Sequence, residues 1–453
     1  LKNKIYTMPQ FLQQRYNGTV AMIMAVFWLL LYVVVNLTSI LYLGALAVSS
    51  ISGFGLWPCA FALALFAIVI TLGGMKVIGY TDIIQVFFLI VGGLATTYLA
   101  LNLVSEKFGA SGVGAGMGLV LEHASDHFHM ILKRDNPSYL DLPGLTVLLG
   151  GMWIANLNYW GCNQYITQRA LGADLPTARS GLLFAAFLKL LMPIIVILPG
   201  IAAFVLYQNG SLAEMNTAEG VVPDRAYPLL LNMLPVGLKG LAFAALTAAV
   251  VASLAGKMNS IATIFTLDIY KKRINEKASE EQIVRVGKIS IVAAIVLAIA
   301  ITPLLGIGEK GGLQFIQEYT GFVSSGVFAM FIMGFLWKKT TSNAALFATI
   351  GGFLLSVLFK FLPQWADLSF LAPIGFAAPN GDGIYEIPFL DRMGIVFILC
   401  IIGMVAISLI ETARGVQPKG LEIDTRMFRV SNSFLVGSLI VLGVLTALYT
   451  VFY

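Results

Sequence analysis

Charge is scarce in this chain. Only 11% of its residues are Asp, Glu, Lys or Arg, against 58% hydrophobic. With a mean hydropathy of +0.87, this excludes an ordinary soluble protein, whose surface needs charge. Cysteine is scarcer still. Cys59, Cys162 and Cys400 all lie in apolar stretches, which argues against a disulfide framework or a thiolate metal site and for buried free thiols. Histidine occurs only as His123, His127 and His129. Their spacing could hold a metal, but no cysteine or other strong ligand set accompanies them, and loop histidines without a ligand are common. No nucleophile–base pair, metal-ligand cluster or phosphate-binding loop is visible, so the chain does not read as an enzyme. The net charge of +5 needs no nucleic-acid partner, because the basic residues fall in loops between apolar runs.

What the chain has instead is apolar length. About eleven hydrophobic stretches fall near 18–50, 57–75, 81–104, 145–164, 181–207, 238–267, 286–307, 313–337, 342–361, 391–411 and 432–452. Nearly all reach the ~20 residues a helix needs to cross a bilayer, and helix is the only open structure that satisfies its own backbone in lipid. The first and sixth exceed that need and are expected to tilt or protrude. Lysine and arginine concentrate in alternate loops, at Arg15, Arg169, Arg179, Lys271, Lys272, Arg273, Lys338, Lys339, Arg414, Lys419 and Arg429. The positive-inside rule makes those loops cytoplasmic, so the chain starts inside and, after an odd number of crossings, ends outside. Longer connections near 105–144, 208–237 and 362–390 then lie outside.

Asp82, Lys189, Lys257 and Glu318 sit within or at the edge of apolar segments, where an ionisable group is costly enough to mark function. A polytopic carrier in a lipid bilayer follows. Gly150–Gly151, Pro193, Pro199, Pro303 and Gly321 to Gly326 interrupt spans. Such breaks free backbone groups for ions or solute, although small residues also serve plain helix packing.

One segment is more specific. Gly150 to Arg169 reads Gly-Gly-Met-Trp-Ile-Ala-Asn-Leu-Asn-Tyr-Trp-Gly-Cys-Asn-Gln-Tyr-Ile-Thr-Gln-Arg. Val35 to Ser39, Tyr80 to Val86, Phe184 to Lys189, Asn259 to Tyr270 and Phe315 to Gly321 accompany it in order. Together they resemble the sodium:solute symporter family, and within it the bacterial sodium/galactose (sodium/glucose) branch, nearly end to end. The resemblance implies an all-α polytopic fold of leucine-transporter type, an inverted repeat of five-helix units with flanking helices. It implies one transporter domain over 1–453, with the remainder of the first repeat at 18–104, the second repeat and an adjoining helix at 145–361, and C-terminal peripheral helices at 391–452. The first spans match the third core helix of the family onward. The first helices of the full fold, which supply part of the sugar site and sodium-coordinating carbonyls, are therefore expected to be missing here.

By the same resemblance the chain is a secondary active transporter, coupling sodium to symport of a hexose (galactose or glucose) by alternating access in a bacterial inner membrane. Sodium is the coupling ion and no cofactor is called for. A sugar is a ring of hydroxyls, each donor and acceptor. Asn156 offers an amide, Lys189 a cationic donor and Gln317 a second amide. All three match sugar-contacting positions, on three helices, so they are expected to converge at a midplane cavity. Tyr159 and Trp160 lie three and four residues beyond Asn156, on its helical face. Tyr159 matches the family's aromatic gate on the cytoplasmic side of the sugar, and Asn36 is a further candidate to reach the hydroxyls.

For sodium, Ala249 matches a carbonyl ligand and Ser253 the second of two adjacent serine ligands, while the first position is Ala252. Asp82 matches an aspartate that guides or binds the ion. Lys257 follows Ser253 by one turn, where the family pattern carries an uncharged residue. A buried lysine needs a partner. Either it pairs with Asp82 as a tethered cation, so that sodium coupling is weakened, replaced by a proton or absent, or it snorkels to the cytoplasmic interface. Other readings stay open: a sodium-independent or proton-coupled carrier, a carrier of a sugar acid or myo-inositol, or a transporter-like solute sensor.

Overall fold

The computed structural model describes residues 5–217, 220–304, 312–421 and 428–453. The apolar runs have become helices, as lipid demands. In chain order they are α1 (Met8–Arg15), α2 (Gly18–Ser52), α3 (Leu56–Leu72), α4 (Gly74–Lys107), α5 (Val113–His123), α6 (Thr146–Leu149), α7 (Gly151–Cys162) and α8 (Gln164–Ala170). They continue with α9 (Leu175–Gln208), α10 (Ala226–Asn232), α11 (Val236–Ile274), α12 (Glu280–Leu304), α13 (Gly312–Leu336), α14 (Ser342–Gln364), α15 (Phe389–Ala413) and α16 (Asn432–Val451). Among the described residues nine are long and apolar enough to cross a membrane, and α3 is a shorter apolar helix. Residues 305–307, the end of the seventh expected span, lie outside the described residues. Two short antiparallel hairpins, Asn216–Thr217 with Gly220–Val221 and Ala378–Pro379 with Tyr385–Glu386, are the only strands among the described residues.

The expected span at 145–164 is not one helix. Gly150 stands at φ −117°, ψ −117° and ends α6, and α7 keeps only 12 residues, about 18 Å of helix against the ~30 Å of a bilayer core. The break lets α7 lie hard against α15. A Cβ on Gly151 would collide with the Leu390 backbone, and Gly394 faces Gly150 across the same contact.

Helices in lipid gain little by burying apolar surface on one another, so close packing at small residues has to hold them. Gly326 of α13 leaves no room for a side chain before the Ala348 carbonyl, and Gly352 answers it from α14. Trp28, Tyr32, Leu41, Met258, Phe331 and Val396 pack into the main core. A second cluster, with Leu101, Val120, Ala202, Leu206 and Leu230, joins α4, α5, α9 and α10. α16 buries no residue and rests on α9, where Leu183 fills the space over Gly437.

The ends of these helices are closed by named groups. Asp174 caps α9 by accepting from the Thr177 backbone N–H, and the Thr177 side chain and N–H together hold its carboxyl below the usual range. At α1, the fully buried Arg15 donates to the carbonyls of Gly334, Trp337, Thr340 and Lys419 at 2.8–3.1 Å. The last carbonyls of a helix lack intrahelical donors, and a guanidinium supplies five donors in a fixed plane.

Candidate functional site

One cavity of about 350 Å³ lies where α2, α7, α9, α13 and α15 meet. Asn36, Asn156, Tyr159, Lys189 and Gln317 all line it. Lys189 is there for a local reason. Pro193 has no N–H, and its ring clashes with the carbonyl four residues back, which belongs to Lys189. The first segment of α9 therefore stops at Lys189, and the helix resumes through a π-helical stretch at Pro193–Ile197. The Lys189 Nζ lies 3.4 Å from Asn156 Oδ1. Asn156 donates its Nδ2–H to the Met152 carbonyl at 2.8 Å, which leaves the oxygen for the ammonium.

Asn36 sits in a π-helical stretch, Leu31–Leu37, of the kind frequent at functional sites. It donates to the Leu31 carbonyl at 3.2 Å. Trp160 is not among the lining residues. It stands edge-on behind Tyr159 with ring centres 5.9 Å apart, and its ring centre is 5.7 Å from the Lys189 Nζ. Asn158, Thr320 and Ser324 also line the cavity, and Asn158 donates to the Ser324 hydroxyl at 3.1 Å. Thr320 and Ser324 recur at helical spacing from Gln317, a signal the sequence carried and the motif reading passed over.

Below Tyr159 the cavity rests on Asn163, which caps α8. Its Oδ1 accepts from the Tyr32 hydroxyl at 2.6 Å and the Tyr165 N–H at 3.0 Å. The described lining includes no Asp or Glu, so the wall is amide, hydroxyl, one ammonium and aromatic or aliphatic surface.

The residues read for sodium do not line this cavity. Ala249 and Ser253 are half-buried on one face of α11, with Ala252 buried beside them. The expected Asp82–Lys257 pair does not exist. Asp82 Oδ2 accepts from Arg169 Nε at 3.2 Å and from its terminal nitrogen at 2.9 Å, because α8 brings Arg169 between α4 and α11. Nor does Lys257 snorkel. It is 4% exposed, and from 257 to the end of α11 at Ile274 is about 25 Å of helix. Its Nζ has no hydrogen-bond partner among the described residues and sits 4.4 Å, 4.7 Å and 5.9 Å from the ring centres of Tyr165, Tyr32 and Tyr159.

The histidines do not converge. His123 lies on Phe108, His127 on Phe204, and His129 Nδ1 meets the Tyr453 carbonyl at 2.6 Å. No group of three potential metal ligands occurs among the described residues. The three cysteines are buried and free.

The pattern of the sodium:solute symporter family matches residues 1–352. The chain belongs to that family. It is 42% identical over 462 residues to the sodium/glucose cotransporter of Vibrio parahaemolyticus, covering all of this chain and 80% of that protein. It is 31% identical over 382 residues to the human sodium/myo-inositol cotransporter 2, covering 79% of this chain but 55% of that one. Its fold resembles a Na+-coupled sialic acid symporter at a TM-score of 0.69 and 20% identity, over 90% of this chain and 78% of the other. The symporter fold, of leucine-transporter type, is therefore shared, and the protein is a multi-pass membrane protein. Within that family fold α7, the break in α9 and the first part of α13 bring Asn156, Lys189 and Gln317 to the cavity.

Proposed function

We propose that this symporter carries a hexose such as galactose or glucose together with sodium by alternating access. The observation that supports this most is the convergence of Asn156, Lys189 and Gln317, from three helices, on one cavity with no lining carboxylate among the described residues. Two amides and an ammonium offer donors and acceptors to ring hydroxyls, and Tyr159 supplies a flat apolar surface for a sugar face. The solute crosses unchanged, so no catalytic group is assigned. Sodium would take its ligands from the Ala249 carbonyl and the Ser253 hydroxyl, with Asp82 on its route. The membrane is a bacterial inner membrane, with α1 on the cytoplasmic side and α16 ending outside.

Radiolabelled galactose uptake into proteoliposomes holding the full-length protein tests this. Uptake should rise several-fold with an inward sodium gradient, and sodium-indifferent uptake would remove the coupling while keeping the sugar.

One feature favours a second substrate class. Among the described lining residues Lys189 is the only cation and there is no carboxylate, and a sugar acid would give it a counter-charge. Excess galacturonate that blocks galactose uptake better than excess glucose would favour that class.

A further inference from the structure

We propose that Lys257 is a built-in cation that holds down the affinity of this symporter for sodium, and that its tyrosine cage ties that effect to the floor of the sugar cavity. The inference rests on the sodium-coupled reading above and adds a residue to it.

A buried ammonium must be stabilised by a counter-charge, by hydrogen bonds or by aromatic faces. Here the aromatic faces do it. Tyr165 and Tyr32 lie within 5 Å of the Nζ, with Tyr159 somewhat farther at 5.9 Å. The charged groups nearby do not neutralise it. Arg169 also stacks on Tyr165, at 4.2 Å, and its guanidinium presses on Gly256, where a Cβ would lie 3.0 Å from it. The carboxylate on this side, Asp82, is engaged by Arg169. With Lys257 protonated, the cluster of Asp82, Arg169 and Lys257 carries one net positive charge.

Ser253 is one helical turn from Lys257, a rise of about 6 Å. Allowing for the length of the lysine side chain, an ion on Ser253 and the ammonium would lie within roughly 10 Å, where two like charges out of bulk water repel enough to change an ion's affinity by about tenfold. The cage also reaches the sugar site. Tyr159 lines the cavity, and Tyr32 bonds Asn163 in its floor. A shift of the Tyr159 ring on sugar binding would alter what holds the ammonium. Lys257 is thus a positioning residue for the coupling ion, since it touches neither sugar nor sodium.

The test is equilibrium binding of radioactive sodium to the full-length protein in detergent, without sugar, for wild type, Lys257→Met and Lys257→Arg. Methionine keeps the volume and removes the charge, and should bind sodium about tenfold more tightly. Arginine keeps the charge and should stay within about twofold of wild type. Equal affinities for wild type and Lys257→Met overturn the proposal. So does a shift shared by both variants, which would be a packing effect, and so does sodium binding absent from all three proteins. Lys257→Gln replaces the methionine variant if size-exclusion shows that variant aggregated. Galactose uptake by the same proteins reconstituted into proteoliposomes separates the two readings. Equal sodium affinities with intact sodium-driven uptake sink this inference alone, and a sodium shift without sugar uptake sinks the hexose reading alone.

Discussion

At the scale of single residues, the side chains differ in how easily sequence exposes them. Asn156, Lys189 and Gln317 stand out as polar groups in apolar spans, and the cavity gathers them because their helices break or begin beside it. Lys257 stands out equally, yet its surroundings could not be read. Tyr32, Tyr159 and Tyr165 come from two distant stretches of chain, and nothing in their spacing announces a shared cation. The Asp82 pairing failed for a related reason. Arg169 closes the motif and reads in sequence as a loop charge, but the short helix α8 carries it inward to Asp82. Replacing Lys189 with methionine should remove one charged donor to the sugar, worth about 1.5–3 kcal/mol. The galactose concentration for half-maximal tryptophan quenching should then rise at least about tenfold, and an unchanged value would place Lys189 outside the sugar's reach.

At the scale of elements, most spans are legible because an apolar run of ~20 residues admits few other readings. The exception, 145–164, has the hydropathy of a span, while its break at Gly150 goes with the close approach of Leu390 to Gly151, a tertiary fact. Contacts of this kind also decide what glycine substitutions do. Gly326→Ala on α13 would drive a methyl into the Ala348 carbonyl, whereas Gly240→Ala on α11 meets nothing within 4 Å. Overpacking against backbone typically costs about 1–3 kcal/mol, and alanine in an open helix position gains up to about 1 kcal/mol over glycine. Thermal unfolding in detergent should therefore move down for Gly326→Ala and stay level or rise for Gly240→Ala. Equal midpoints would mean that the α13–α14 crossing is looser than drawn.

At the scale of the whole molecule, the family was legible because several motifs recur in a fixed order, which no single helix could have supplied. The ionic contacts between helices were not. Glu318 Oε1 holds Lys360 of α14 at 2.7 Å and Arg392 of α15 at 3.1 Å, three residues from separate spans. Arg392 is 5% exposed, and a buried charge stripped of its partner is strongly destabilising, by about 3–5 kcal/mol. Glu318→Gln should lower the thermal midpoint by several degrees even with sugar and sodium saturating, and no change would show that solvent carries the pair. The guanidinium of Arg15 has the opposite consequence to a flexible joint. By gripping the C-terminal end of α13, the corner at Thr340 and the chain at Lys419 together, it rivets them into one block. One planar group bonded to all three leaves them little freedom to part, so they are expected to shift as a unit in any rearrangement of the bundle.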